Sequence, residues 1–176
     1  MIKNIIVPTD GSVHADKATG MAADLAGKYK ARLRILHALL HNESPAGLKH
    51  LLERLAAPAE LVQRLDSEAE QMVSTMGTAY AEVPVLLPLS VELLEAIGHY
   101  VGDHARLIAR QHGATEISVD IVNAPPVDAI LAAAKHDHAD MIVMGSRGLG
   151  RLEGMLVGSV SQRVNHHAAC TCVTVK

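Results

Sequence analysis

Tryptophan and phenylalanine do not occur in this 176-residue chain, and only three tyrosines do. Proteins that hold nucleic acid without reading its sequence stack bases on aromatic side chains and neutralise phosphates with clustered Lys and Arg. With so few rings and a net charge of −3, the chain offers neither device, and no nucleic-acid partner is expected. Cysteine is scarce as well. Cys170 and Cys172 lie two apart in a strand-like run, so they point along one face and cannot easily bridge each other. That usage suits a reducing compartment. No run approaches the roughly 18 apolar residues that span a bilayer, and MIKNIIVPTDG lacks a signal-peptide layout. No membrane association is expected, and a cytoplasmic location is.

What the chain has in quantity is apolar residues, at 49%, enough for one domain of this length to bury a core without metal or disulfides. IKNIIVP (2–8) reads as a buried strand closed by proline, and TDGS supplies a turn. From Ser12, placed to cap, Val13, Ala18, Ala22, Leu25 and Tyr29 fall on one helical stripe. ARLRILHALL (31–40) is a second strand, and strand, helix, strand at this spacing argues for parallel pairing. Ser44-Pro45 and Pro58 mark helix starts, giving helices near 45–56 and 59–80 that form an insertion. A longer crossover helix runs from Ser90 to about His112, with Gly113 as its stop. The unit then repeats: strand 115–122, helix 126–137, strand 140–144, a glycine-rich loop, helix 158–167 and strand 170–175. Five strands alternating with helices make a doubly wound parallel α/β sheet, whose ligands bind beyond the carboxyl ends of the strands.

Two loops leave strands at that end, PTDGS and GSRGLGRLEGMLVGSVS (145–161). In the second, Gly145 and Gly150 have Walker A spacing, but Arg151 stands where lysine is needed and Leu152 where the magnesium-binding hydroxyl belongs. A dinucleotide fingerprint fails too, because the third glycine, Gly154, is one residue late and the loop follows the fourth strand. A third reading uses every feature: Gly145 and Gly148 shape a turn whose amides face an anion, and Gly158-Ser159 opens a helix whose free N–H groups meet the same anion. Ser159 also fits a plain helix cap, and so does Asp10. The eleven histidines do not form a metal motif: His136 and His138, and His166 and His167, have no carboxylate or thiol at ligand spacing.

The spacing Gly145, two residues, Gly148, nine residues, Gly158-Ser159, joined to IIVPTDGS at one end and to CVTV after HHAAC at the other, resembles the universal stress protein family, in its ATP-binding branch. The resemblance covers 1–40 and 114–176 well and 41–90 poorly. It implies a Rossmann-like sheet of order 3-2-1-4-5, a homodimer, and an adenine nucleotide across the first and fourth strands. It places Pro8, Thr9 and Asp10 at the nucleoside, with Asp10 accepting from ribose hydroxyls. Ala38 would offer its backbone to the adenine edge and Met144 would pack on the base. Gly145, Arg147, Gly148, Gly158, Ser159, Val160 and Ser161 would surround the phosphates. ATP is the implied ligand, with AMP or ADP as alternatives and Mg²⁺ as a companion ion. Asn123-Ala124-Pro125 replaces the family's glycine-containing turn, and Cys172 stands where many members have proline.

Three functions fit these residues: a nucleotide-binding regulatory module, a slow ATP hydrolase or nucleotidyl transferase, and a nucleotide-free scaffold. The loop offers no lysine and no pair of acids to hold a metal at a γ-phosphate, which favours binding over catalysis. The edge strand CTCVTV (170–175) is uncharged until Lys176, and pairing it across a homodimer would remove an association liability. Residues 44–80 are expected at the nucleotide side of the sheet, as a hinged cover or a surface for an unknown protein partner.

Overall fold

A computed structural model describes residues 1–78, 88–149 and 158–176, with side chains described outside 72–78. Five strands, β1 (Asn4–Pro8), β2 (Arg32–Ala38), β3 (Ile117–Val122), β4 (Met141–Gly145) and β5 (Thr171–Val175), form one sheet of order β3-β2-β1-β4-β5. Every pairing is parallel. The helices are α1 (Val13–Tyr29), α2 (Pro45–Arg54), α3 (Ala59–Thr78), α4 (Val91–Gln111), α5 (Pro126–His136) and α6 (Ser159–His167). The Rossmann-like architecture is therefore the one read from the sequence, with two helices between β2 and the α4 crossover. Of the expected insertion 44–80, residues 79 and 80 lie outside the described residues, as do Gly150, Arg151, Leu152 and Gly154 of the glycine loop.

Alternation along the strands divides the interior into two layers. Ile5, Val7, Leu33, Ile35 and Val143 face α1 and α4. Ile6, Leu36, Ile142 and Met144 face α5 and α6. The α1 stripe differs from expectation: Ala15, Ala18, Ala22, Ala23 and Ala26 are buried, while Val13 and Tyr29 are 52% and 42% exposed. Alanines let the helix axis approach the sheet closely, so the smallest face, not the most hydrophobic one, turns inward. Ser12 caps α1 as expected, accepting from the Ala15 N–H, and Ser90 caps α4. Both cysteines are free thiols, and burial pushes their pKa values up.

A third cluster joins α2 and α3 to α4. Leu48, Leu51, Leu52 and Leu65 pack on Leu93, Leu94, Ile97 and Val101, and all are 3% exposed or less. Helix α2 is thus anchored rather than hinged: proline at its start sets a cap on Ser44, and the leucines it buries hold it in place. Arg54 at its last turn reaches Asp16 of α1 at 2.9 Å.

Candidate functional site

The order of the sheet reverses between β1 and β4, and a cavity of about 390 Å³ opens beyond their carboxyl ends. That volume is of small-molecule size. Pro8, Thr9, Asp10, Ala38, Met144, Gly145, Arg147, Gly148, Gly158, Ser159, Val160 and Ser161, the residues singled out in the sequence, all line it. So do Leu36 of β2, Ile130 of α5 and Leu39, Leu40, Asn42 and Glu43 just before the insertion, none of which the motifs indicated. Their signal was three-dimensional: only the topology brings 36–43 and 130 beside 145–149 and 158–161.

The turn after β1 is built by its own short side chains. Thr9 Oγ1 accepts from the Gly11 N–H at 3.1 Å, and Asp10 Oδ1 accepts from the Ser12 N–H at 2.9 Å. Gly11 is required by its φ of +78° and because a Cβ would stand 2.8 Å from Leu51 Cδ1. Asp10 is not the helix cap, which is Ser12. Its second oxygen, Oδ2, accepts from the Leu149 N–H at 3.0 Å, so one carboxylate ties the first loop to the glycine loop. Each oxygen keeps a lone pair for another donor.

The glycines of the second loop have different physical reasons. A Cβ on Gly145 would come within 2.8 to 3.0 Å of the His14 and Ala15 atoms that begin α1, so this glycine lets β4 pass under the helix. A Cβ on Gly148 would collide with Asp10 Oδ2. Gly158 meets nothing nearer than 3.4 Å, and its φ of −72° suits any residue. Its N–H donates to the Ser146 carbonyl at 2.7 Å, while Ser146 N–H donates to Val175 at 2.6 Å, which brings the two ends of the loop together. Gly158 is the N-cap of α6 and no side chain caps the first turn. No side chain among the described residues accepts from the N–H groups of Ser159, Val160 or Ser161, and the helix dipole at this end favours an anion in the cavity. Arg147 is exposed at the rim and has no ion-pair partner among the described residues.

At the other end of the cavity lies an open strand edge. The last β1–β2 pairing joins Pro8 to Leu36, whose carbonyl accepts from Thr9 N–H. Backbone groups alternate sides along a strand, and Leu39 N–H turns the other way, to Val122 on β3. Ala38 therefore presents its N–H and C=O toward β1, past the point where β1 has ended. A planar group with an adjacent donor and acceptor fits that slot, between the apolar Leu36, Ile130 and Met144. Among the described residues, no three His, Cys, Asp or Glu gather as a metal site.

His37 was not singled out in the sequence, although it continues the buried alternation Leu33, Ile35 and could have been read from it. It is 0% exposed, and Nδ1 lies 2.9 Å from the Thr9 carbonyl. A carbonyl only accepts, so Nδ1 carries the proton and donates; Nε2 has no hydrogen-bond partner among the described residues. Burial pushes the pKa below the ordinary 6.5, against the opposing Thr9 hydrogen bond and Asp10 charge. The unfolded imidazole takes up a proton below about pH 6.5 and the folded one resists it, so stability falls as pH drops through that value, by at most about 1.4 kcal/mol per unit. His37→Asn keeps a donor near the Nδ1 position without a titrating group. Denaturant midpoints near pH 7.5 and 5.5 should show a larger acid loss in wild type; equal losses would remove His37 as the cause.

A family model described as the universal stress protein family matches residues 1–176. A universal stress protein of Thermus aquaticus, in the 3′ region of a QAH/OAS sulfhydrylase gene, is 28% identical over 176 residues, covering all of both chains. Universal stress protein YxiE of Bacillus subtilis is 26% identical with the same coverage. Among solved structures, a universal stress protein in complex with cAMP superposes at TM-score 0.61 with 22% identity, over 99% of this chain and 96% of that one. One from Archaeoglobus fulgidus in complex with dAMP superposes at 0.55 with 19% identity, over all of both chains. The family model matches the whole length of the sequence, and the chain belongs to the universal stress protein family.

Proposed function

We propose that this protein binds an adenine nucleotide, ATP foremost with AMP or ADP as alternatives, and acts as a homodimeric regulatory module in the cytoplasm. The observation that carries the reading is the pairing, across one cavity, of an open Ala38 strand edge with the uncapped first turn of α6. Adenine lies between Leu36, Ile130 and Met144 with its edge on Ala38. Asp10 takes the ribose hydroxyls, since a carboxylate suits hydroxyl donors and repels phosphate. The phosphates meet Gly148, Arg147 and the N–H groups of Ser159, Val160 and Ser161. The cAMP and dAMP complexes of family members support the adenylate class. Mg²⁺ arrives as the companion of the nucleotide.

Native protein, purified and then denatured, should release an adenine nucleotide identifiable by mass spectrometry. Calorimetry should give a saturable ATP isotherm, and absence of both would sink the reading. Single-turnover assays with labelled ATP separate it from the alternative of a slow hydrolase or nucleotidyl transferase. The chain works as a single domain, 1–176, with 44–80 as its helical insertion and the outer face of that insertion available to a protein partner.

The homodimer forms through the open edge of β5, residues 170–175. Val175 gives its carbonyl to Ser146, so Val175 and, by alternation, Val173 face β4, whereas Cys172 and Thr174 face outward. Thr174→Pro is therefore the informative change, deleting an edge donor without cutting the β4–β5 ladder. Sedimentation should shift the wild-type dimer to monomer; a wild-type monomer at micromolar concentration would end the idea.

A further inference from the structure

We infer that His37 is a positioning residue of the nucleotide cavity, whose neutral imidazole sets the Thr9–Asp10 turn and thereby links adenine-nucleotide binding to a proton. The inference rests on the nucleotide reading above. Its Nδ1–H holds the Thr9 carbonyl at 2.9 Å. The next residue along is Asp10, whose two oxygens gather Ser12 and Leu149, and the residue after His37 itself is Ala38, the open edge. One buried ring therefore fixes the relative placement of the ribose acceptor and the base edge.

The socket of the ring admits one protonation state. Gly98 of α4 makes room for it: a Cβ there would stand 2.9 Å from His37 Cδ2 and 2.9 Å from Ile121 Cγ2. Nε2 has no partner among the described residues, so a second proton would meet no acceptor there and its charge little solvation. The Asp10 carboxylate favours a charged ring, against the burial that disfavours it. On α4, Glu95 and His99 flank Gly98 but are exposed. On β3, Asp120 alternates to the opposite face and pairs with Arg34. Protonation therefore requires the imidazole to leave the socket, which releases Thr9 and Asp10. A nucleotide that needs both in place binds the neutral form, and acid weakens it by at most about tenfold per pH unit for this single proton.

The test is calorimetric titration of AMP into wild type, His37→Asn and Gly98→Ala at about pH 7.5 and 5.5. Protonation of AMP itself is common to all three. Affinity of wild type should fall more between the two pH values than that of His37→Asn, by less than about tenfold because burial holds the imidazole below its ordinary titration range. Gly98→Ala, which drives a methyl onto the ring, should bind about tenfold more weakly than wild type near pH 7.5 with circular dichroism unchanged. Parallel pH dependence in wild type and His37→Asn overturns the inference, while the binding of nucleotide stands. Should His37→Asn not fold, Gly98→Ala decides, and wild-type affinity in that variant overturns it. Wild type that takes up no AMP near pH 7.5 overturns the nucleotide reading, and this inference with it.

Discussion

Gly148→Val should weaken ATP binding at least a hundredfold while leaving the sheet folded. The valine Cβ collides with Asp10 Oδ2, so either the carboxylate or the loop must move. Either movement breaks the Asp10–Leu149 hydrogen bond, and displaces the ribose acceptor from the amides meant for phosphate. Two charge-assisted hydrogen bonds at about 1.5 to 3 kcal/mol each amount to roughly two to four decades in affinity. The fold is spared because Gly148 is exposed and lies outside the strands. Gly158→Ala is the companion experiment. With nothing nearer than 3.4 Å among the described residues, its added methyl costs stability only through a poorer cap, about 1 kcal/mol or less, so a larger loss of affinity reports crowding of a ligand. Calorimetry with circular dichroism reads both. A folded Gly148→Val protein with wild-type affinity would mean that these glycines serve only as turns.

Leu51→Ala should cost about 2 to 5 kcal/mol of stability, as truncation of a fully buried leucine does. Leu51 is 1% exposed, in the cluster that joins α2 to α4, and its Cδ1 touches Gly11 at the turn after β1. The insertion consequently buttresses the turn after β1 from behind. Replacing 44–80 by a Gly/Ser linker, the natural test of a detachable cover, should therefore leave a poorly folded protein, since it removes Leu48, Leu51, Leu52 and Leu65 from the face of α4. Denaturant unfolding measures both variants. A loss below about 1 kcal/mol for Leu51→Ala would restore the detachable cover.

Local chemistry was enough to read the elements. Ser12 as a cap, Ser90 as the start of the long helix, Gly113 as a stop at φ +88°, and Ser44-Pro45 as a helix start stand where the sequence put them, because each acts on backbone within one turn of itself. The five apolar runs likewise became the five strands, and parallel pairing followed from the helices between them. The twelve site residues come together in one cavity because both motif loops leave strands at the same end of that sheet.

What the sequence left undetermined depends on distances between segments far apart in the chain. The inward face of α1 was set by how closely a helix can approach the sheet, so alanines displaced Val13 and Tyr29 from the core. Gly145 is glycine for the sake of α1 and Gly148 for the sake of Asp10, two reasons that an anion-binding spacing cannot separate. His37 is an ordinary histidine in the sequence and a sealed, half-satisfied one in the fold. Composition and spacing determine which elements form and in what order, since those are local free energies; which side chains share a cavity, and which ring loses its water, are decided only when the layers close.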